Sequence, residues 1–448
     1  MTQERNGPQV ESGEAAGTRR ADELFEQSLT RAGALRGFGG ILAAGVVGGL
    51  AGATPALARS TAPARRTATT TKISMWGNHP EWKPVLDRLI AAFEKTHPGI
   101  EVELSYKPGP QYTAALNTAL AGGAAPDVIG WIEGDAIRVG AKAKQIDPLD
   151  GKIPLAKLIP AARAQVAFNN HVYGSPLAAY TVGIFYQRPI FKKYGLKPPT
   201  TWPQLMAVTK KLKDEGVTPW SMPAKDMIIP YFFYIMAASS ILGQDGYRGL
   251  RRGTRKVTEK QVVRAAQLMI DLQEYYNDGF QAVSYAEGKA LFAQGRTAML
   301  IGGSADYTGY KQVNPKVDVG VFGFPSPSGN RHVTVTGMEL LYTVNAKSSH
   351  KPEATTLVNW LSSKGAQQVV ANELARPIAV GVVPSRSNRV GREMVLAGAP
   401  DIPVWYSQPE TGGTFGAITS AGGIFTGDLD AAEFAQKVQA SIKPNKKA

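Results

Sequence analysis

Two spacings of hydrophobic residues alternate along this chain from about residue 72. In residues 72–76, apolar side chains alternate with polar ones, as in a half-buried strand. Residues 84–96 place apolar side chains three and four apart, as on one face of a helix, and residues 100–104 return to strict alternation. The order strand, helix, strand indicates a βαβ unit, which predicts a largely parallel sheet within an α/β fold.

This rhythm continues to the end of the chain. A helix is predicted at 112–121 and a short buried strand at 127–131. Further helices are predicted in the second half, at about 201–212, 226–242, 258–276, 351–363 and 431–442. Helices and strands therefore alternate over nearly 400 residues, and no stretch indicates an all-helical or all-strand architecture.

The stretch Val172–Arg188, VYGSPLAAYTVGIFYQR, is interpreted as a crossing between two halves of the fold. A Gly-Ser-Pro turn precedes β-branched and aromatic residues, which favour a buried strand. We expect residues 177–181 to make the crossing and residues 182–186 to begin the second half. Tyr180 would then lie at the floor of a cleft, with Phe185 and Tyr186 in the core.

A chain of 448 residues is too long for one ordinary core, which favours two lobes and a leader. Residues 1–58 are predicted to be a disordered lead-in and a signal peptide cleaved after Ala58, because an apolar Gly/Ala-rich run ends in Ala-Leu-Ala. The alternative is an uncleaved anchor, and the general secretory and twin-arginine export routes both stay open. Residues 59–71 are predicted to be a linker.

The net charge is +14; the leader holds five arginines and six acids, so the remainder carries 45 − 30 = +15. The dense basic runs at 248–256 and 443–447 lack interleaved aromatics, so we expect a solvated face and tail and no nucleic-acid partner. The chain has no cysteine, which excludes disulfides, thiolate metal sites and an acceptor for a lipid anchor. Its five histidines are scattered, so no metal or other cofactor is expected.

Several segments resemble, in order and spacing, the extracellular solute-binding proteins, family 1, of ABC importers, the maltose and multiple-sugar type. They are a strand ending in WGN, then ALAGGAAPDVIGW, IDPLD, the crossing stretch and KYGLKPPTTWPQL, and the similarity runs from about residue 72 to 437. The resemblance implies a two-lobed periplasmic-binding-protein-like fold of type II, with a sugar enclosed between lobes joined by crossing strands. It places lobe I at 72–179 plus about 322–347 and lobe II at 180–321 plus about 348–442. Residues 317–324 would make the return crossing, and residues 443–448 would form a basic tail.

A sugar presents C–H faces and a rim of hydroxyls, so its site needs aromatic plates and short polar side chains. A carboxylate that accepts from two hydroxyls makes charge-assisted hydrogen bonds, which are roughly twice as strong as neutral ones. The candidate plates are Trp76, Trp131, Tyr180, Trp220, Tyr307, Trp405 and Tyr406, and the candidate rim residues are Asn78, His79, Glu133, Asp135, Asp306 and Glu339.

Each candidate also has a structural interpretation. Trp76 and Trp131 could be core residues, and Asn78 and His79 could shape a loop. The acidic residues Glu133, Asp135 and Asp306 could cap helices. Asp127, in a Pro-Asp pair, is interpreted as a turn residue and not as a ligand contact.

The predicted function is an exported, monomeric receptor that captures a mono- or oligosaccharide by lobe closure and delivers it to the permease subunits of an ABC importer. It would be periplasmic, extracellular or at the cell surface, with no membrane insertion after signal cleavage. No enzymatic activity is expected. The alternatives are a secreted carbohydrate-active hydrolase, with Glu133 and Glu339 as its two carboxylates, and the same architecture around a non-sugar anionic solute.

Overall fold

The structure is a computed structural model of the full chain. It describes residues 70–77, 82–107, 109–131, 134–153, 156, 158, 162–163, 166–252, 254–304, 306–327, 332–372, 382, 384–385, 388–397, 402–403 and 422–441. The predicted leader, nearly all of the predicted linker and the predicted basic tail lie outside these residues.

Thirteen strands are described. They are β1 Thr71–Gly77, β2 Ile100–Tyr106, β3 Val128–Trp131, β4 Ala167–Phe168, β5 His171–Val172, β6 Gly174–Gln187, β7 Trp220–Ser221, β8 Met299–Gly303, β9 Val319–Phe322, β10 Phe324–Pro325, β11 His332–Val333, β12 Val335–Val344 and β13 Ile402–Pro403.

The described α-helices begin with α1 Lys83–Thr96, α2 Gly109–Gly122, α3 Gly134–Lys142, α4 Arg188–Lys193, α5 Trp202–Asp214, α6 Ile228–Arg252 and α7 Lys260–Asp271. They continue with α8 Tyr285–Ala293, α9 Asp306–Val313, α10 Lys351–Leu361, α11 Lys364–Asn372, α12 Arg389–Ala397 and α13 Ala431–Ser441. Single 3₁₀ turns occupy Gln273–Tyr275 and Gly422–Phe425. Among the described helices, none is both long and apolar enough to span a bilayer.

Local sequence explains where several helices begin. The side chain of Thr201 accepts a hydrogen bond from the backbone N–H of Gln204, with a proline in the first turn of α5. Ser284 and Glu287 form a reciprocal capping box at the start of α8. The helical segment α6 is interrupted at Gly243, whose φ of 67° lies in the left-handed region that glycine tolerates.

Most strands join one nine-stranded sheet. Its order is β2-β1-β3-β12-β6-β8-β7, with β13 paired to β12 and β9 paired to β6. The first three strands are mutually parallel, and β12 runs antiparallel to both β3 and β6. On the other side, β8 and β9 are antiparallel to β6, and β7 is parallel to β8.

The buried apolar residues form two main cores along this sheet. The first core takes its residues from Ile73 to Ala179 and from Met338 to Val370. The second core takes its residues from Val182 to Val335 and from Val390 to Val438. Strand β6 passes from the first core to the second between Ala179 and Val182. Residues 180 and 181 therefore connect the two cores on this strand, within the stretch 177–181 where the crossing was predicted.

Two expected boundaries differ in the structure. The return crossing, expected at 317–324, is made instead by β12, whose Val335 lies in the second core and whose Met338 lies in the first. Strand β9 stays in the second core because it pairs with β6 from Ile184 to Gln187. Helices α10 and α11 pack in the first core through apolar stripes that include Leu357 and Val370, whereas residues from 348 onward were expected in the second lobe.

Candidate functional site

The strand directions bring many carboxyl ends to one region of the sheet. Strand β6 runs from the first core towards the second, and β3 is parallel to it because both are antiparallel to β12. The carboxyl ends of β1, β2 and β3 therefore point at the crossing from the first core, and those of β7 and β8 point at it from the second. Open α/β sheets bind ligands at the carboxyl ends of their strands. We name this region the crossing edge.

The crossing edge gathers many of the predicted ligand residues by topology. Trp76 is the second-last residue of β1, and Asp135 follows β3 in the first turn of α3. On the crossing strands themselves, Tyr180 pairs with Gly337, and Glu339 pairs with Ala178. The structure describes the backbone of Asp135, Tyr180 and Glu339, and their side-chain positions lie outside the description. Asn78, His79, Glu133, Trp405 and Tyr406 lie outside the described residues.

Trp76 is a described candidate that keeps a partly exposed ring at the crossing edge. The ammonium of Lys107, one residue past β2, lies 5.0 Å from its ring centroid. A cation over an indole face is a cation–π contact, worth about 0.5–1 kcal/mol at exposed sites. A sugar ring that stacked on this face would have to displace the lysine.

Trp131 and Trp220 are core residues, which corrects their prediction as stacking plates. Trp220 is 1% exposed, and its Nε1 donates to Oγ1 of Thr209 at 3.2 Å within the second core. Trp131 is 6% exposed, and its Nε1 donates to Oγ1 of Thr343 at 2.6 Å. Both indoles are closed off by packing and have satisfied their single donor, so neither offers a face to a ligand.

Asp306 lies just past the end of β8 but has a structural role, which corrects its prediction as a rim residue. Its Oδ2 accepts from the backbone N–H of Gly303 at 2.7 Å and from the hydroxyl of Tyr285, and its Oδ1 accepts from Lys289 at 3.2 Å. The side chain is 9% exposed. Burial, together with the adjacent Asp306 carboxylate, raises the pKa of Tyr285 well above its ordinary value. The carboxylate therefore fastens the end of β8 to α8.

Tyr285 and Lys289 were missed by sequence reasoning. They lie four residues apart on one face of α8, and the ammonium of Lys289 is 4.3 Å from the centroid of the Tyr285 ring. The capping box of Ser284 and Glu287, which encloses Tyr285, marks the helix start and was the available signal. Their contacts with Asp306 join residues 21 and 17 positions apart in the sequence. No local sequence pattern indicates contacts at that separation.

Tyr307 is partly buried in the first turn of α9, and the ammonium of Lys311 lies 5.6 Å from its ring centroid. It lines a pocket of about 510 Å³ together with Arg188, the residue after β6. Its predicted role as a stacking plate for a sugar stays a prediction.

The crossing is tied to the segment after β8. The backbone N–H of Ser304 donates to the carbonyl of Thr181 at 2.9 Å, and the N–H of Thr181 donates to the Ser304 hydroxyl at 3.2 Å. The buried hydroxyl of Thr181 has no hydrogen-bond partner within the described part of the chain. Among the described residues, no group of three or more His, Asp or Glu side chains could hold a metal ion.

Comparison with known proteins gives relatives along most of the chain. The multiple sugar-binding protein of Streptococcus mutans is 26% identical over 347 residues, covering 75% of this chain and 82% of its own length. The apo form of RafE from Streptococcus pneumoniae superposes with a TM-score of 0.73 at 22% identity, covering 84% of this chain and 98% of RafE. The GacH receptor of Streptomyces glaucescens, solved unliganded and with acarbose, has a TM-score of 0.69 at 21% identity, covering 83% and 97% of the two chains.

These structural likenesses confirm the predicted two-lobed α/β fold of the type II periplasmic-binding class. The model of the family described as bacterial extracellular solute-binding proteins matches residues 76–368, which is well over half of the chain. The match begins at Trp76 in β1 and extends into α11, so it includes the crossing edge and both crossing strands. The chain therefore belongs to the bacterial extracellular solute-binding proteins.

Proposed function

We propose that this protein binds a mono- or oligosaccharide at the crossing edge and delivers it to the permease of an ABC importer. The observation that carries the proposal is the convergence of five strand ends, from two separate cores, on one crossing. A ligand held there touches elements of both cores. The names of the relatives, a multiple sugar-binding protein and an acarbose-binding receptor, support a carbohydrate ligand.

The proposed mechanism is lobe closure about the crossing strands. Lobe I would comprise the residues of the first core and lobe II those of the second, with β6 and β12 as two of the connections. A sugar that contacts both lobes favours the closed state only by the difference between its affinities for the closed and open states. The permease would then recognise the closed shape.

The proposed ligand residues are the candidates that the described packing does not assign to the core or to a structural contact. Aromatic stacking is assigned to Trp76 and to Tyr180 on β6. Polar contacts are assigned to the segments after β1 and β3 and to β12. The full set is Trp76, Asn78, His79, Glu133, Asp135, Tyr180, Tyr307, Glu339, Trp405 and Tyr406.

We assign no reaction to the crossing edge. The family to which the chain belongs is one of solute-binding proteins, and the carboxylate of Asp306 has a structural role in which it accepts three hydrogen bonds. Export, a monomeric state and release from the membrane after cleavage at Ala58 belong to the same proposal.

The test is a set of thermal melts of the purified protein with neutral mono- and oligosaccharides, polyols and phosphorylated compounds. A ligand at 100 times its dissociation constant adds about 2.7 kcal/mol of stability, which raises the melting midpoint by a few degrees. We expect a saccharide to do this and to be recovered intact after long incubation. A cleaved saccharide would establish the hydrolase, and a shift with an anion alone would establish an anionic solute.

A further inference from the structure

A second pocket is built around Arg188, the residue after β6, and draws on helices that pack in both cores. Its volume is about 510 Å³, and its lining comes from five places in the chain: the start of α4, helix α9 with the loop after it, the end of α11, Ser385, and the start of α12 with the residue before it. We name it the basic pocket, defined by Arg188, Tyr307, Lys311, Lys316, Val317, Asp318, Asn372, Ser385, Asn388, Arg389 and Val390.

The backbone places the cationic end of this pocket at the far end of β6. Arg188 directly follows Gln187, the last residue of β6, and its backbone N–H donates to the carbonyl of Asp318 at 3.1 Å. Gln187 in turn pairs with Val319, the first residue of β9. Arg188 is seven residues past Thr181, so this end of the pocket lies away from the crossing. Tyr307 is the one lining residue that the pocket shares with the proposed sugar-binding set.

The charges in the basic pocket do not balance. Its lining holds four cations, Arg188, Lys311, Lys316 and Arg389, and the carboxylate of Asp318. Glu393, which is paired with Arg188 and Arg389 of the lining, adds a second carboxylate, and the sum is 4 − 2 = +2. Arg188 holds both acids, Asp318 at 2.7 Å and Glu393 at 2.6 Å, so neither carboxylate is free to neutralise the lysines.

The groups left over are hydrogen-bond donors. Within the described part of the chain, the ammonium groups of Lys311 and Lys316 form no ion pair. Lys311 donates one N–H to the carbonyl of Pro315 at 3.2 Å and keeps its other two N–H groups as donors. Arg389 uses only its Nε on Glu393, at 3.2 Å. The Nε of Arg188, on a side chain that is 11% exposed, is buried without a hydrogen-bond partner among the described residues.

Neighbouring polar groups add to this pattern. Asn372 accepts with its Oδ1 from the backbone N–H of Ser385 at 3.3 Å and from Gln368 at 3.2 Å. Its amide group is thereby oriented, and its Nδ2 is left as a donor. The pocket thus carries a net charge of +2 and offers hydrogen-bond donors from lysine, arginine and asparagine side chains.

We propose that the basic pocket binds a phosphate dianion, free or as the ester of a small organic molecule. A phosphate group carries about −1.5 to −2 charge at pH 7 and accepts through three or four oxygens, which matches both the charge and the donors of the pocket. A volume of about 510 Å³ exceeds that of the phosphate alone and leaves room for a small organic group beside Tyr307 and Ser385.

The test is calorimetric titration of the full chain with inorganic phosphate, glycerol 3-phosphate and glycerol, at constant ionic strength set with NaCl. The test variant is Lys311→Gln/Lys316→Gln. The matched control is Lys142→Gln/Lys152→Gln, which removes two exposed lysines from the first core's surface. Charge-assisted hydrogen bonds are the strong ones, so we expect the test variant to bind at least about tenfold more weakly and the control to bind like the wild type.

Each compound and each variant tests one interpretation. Binding of both phosphate compounds supports recognition of the dianion itself, and binding of glycerol 3-phosphate alone supports an ester. Absence of binding by both compounds, or equal weakening in test and control variants, overturns the proposal. Saccharide titration uses Lys316→Gln alone, because Lys311 lies over the ring of Tyr307, a member of the proposed sugar-binding set. We expect this single variant to bind phosphate more weakly and saccharide like the wild type, which keeps the result independent of the proposed sugar site.

Discussion

Asp127 shows how one carboxylate can join three segments of the first core. Its Oδ2 accepts from the backbone N–H and the hydroxyl of Ser74, both at 2.8 Å, and its Oδ1 accepts from Ser348 at 2.6 Å. The ring Nδ1 of His350 lies 3.5 Å from Oδ1. The Pro-Asp pair indicated a turn residue and not a ligand contact, and these bonds give Asp127 a structural role. The partners could not be predicted, because they lie 53 and more than 200 residues away in sequence.

The Asp127 carboxylate predicts a loss of stability in acid. Burial raises its pKa, but the hydrogen bonds from Ser348 and Ser74 and the charge of His350 outweigh burial and lower the pKa below its ordinary value. Its contribution to the free energy of unfolding is therefore complete above the ordinary pKa near 4 and is lost as the pH falls through the lower folded value. We expect Asp127→Asn to lower the free energy of unfolding by about 1–3 kcal/mol at pH 7. The variant should also lose less of its free energy of unfolding than the wild type as the pH falls.

Urea denaturation between pH 7 and pH 3 measures both effects. The control is Asp87→Asn, which removes an exposed carboxylate paired with Lys83 four residues earlier. If Asp127→Asn and Asp87→Asn gave the same pH profile, the network around Asp127 would contribute nothing specific.

Lys144 carries backbone strain that sequence patterns did not reveal. It follows α3 with a φ of 55°, and its N–H donates to the carbonyl of Ala141 at 3.0 Å. Helix ends often place glycine in this left-handed conformation, because a Cβ there costs about 1–2 kcal/mol. We expect Lys144→Gly to raise the free energy of unfolding by about 0.5–1 kcal/mol, as measured by denaturant unfolding. A decrease would show that the lysine side chain contributes more than the strain costs.

At the scale of elements, periodicity predicts well where local signals agree. Strand β1, helix α1 and strand β2 follow the predicted pattern, and Thr201 begins α5 as expected. The hairpin of β4 and β5 was missed, because its two-residue strands are too short to show a period. Its turn residues Asn169 and Asn170 have φ values of 47° and 64°, as two-residue hairpin turns of the mirror-image type require.

Helix α9 contains a glycine that packing does not require. A Cβ added to Gly309 would meet no atom within 4 Å, so the site tolerates a side chain. Alanine is about 1 kcal/mol better than glycine inside a helix. We therefore predict that Gly309→Ala raises the free energy of unfolding by about 0.5–1 kcal/mol in denaturant titrations and leaves saccharide binding unchanged.

Gly320 in β9 is the opposite case. A Cβ at this position would overlap the ring of Tyr186 on the paired strand β6. Forcing volume into a packed core typically costs 1–3 kcal/mol, so we predict that Gly320→Ala lowers the free energy of unfolding by about that amount. Equal effects of the two alanine substitutions would contradict the packing described for both sites.

At the scale of the whole molecule, sequence predicts the architecture but not which core each late element joins. The crossing stretch was predicted because its turn and aromatic residues are contiguous. The return through β12 and the packing of α10 and α11 in the first core depend on pairings such as Tyr342 with Ser175 and on the contact of Gln367 with Leu177. Those contacts join residues about 170 to 190 positions apart in the sequence. The apolar face of a helix indicates that the helix packs against a core, but it does not indicate which core.

The central claim is that a saccharide bound at the crossing edge draws the two lobes together. The chain has no cysteine, so the double variant Glu103→Cys/Lys225→Cys accepts spin labels at just two positions. Glu103 is exposed on β2, an outermost strand of the sheet, and Lys225 is exposed just past β7, the outermost strand on the other side.

The decisive measurement is the distance between these labels by double electron–electron resonance, with and without each saccharide of the panel. We predict that the saccharide that raises the melting midpoint also shortens this distance, and that polyols and salts leave it unchanged. A saccharide that binds while the distance stays the same would contradict closure about β6 and β12, and failure of every saccharide to bind would contradict the proposed function itself.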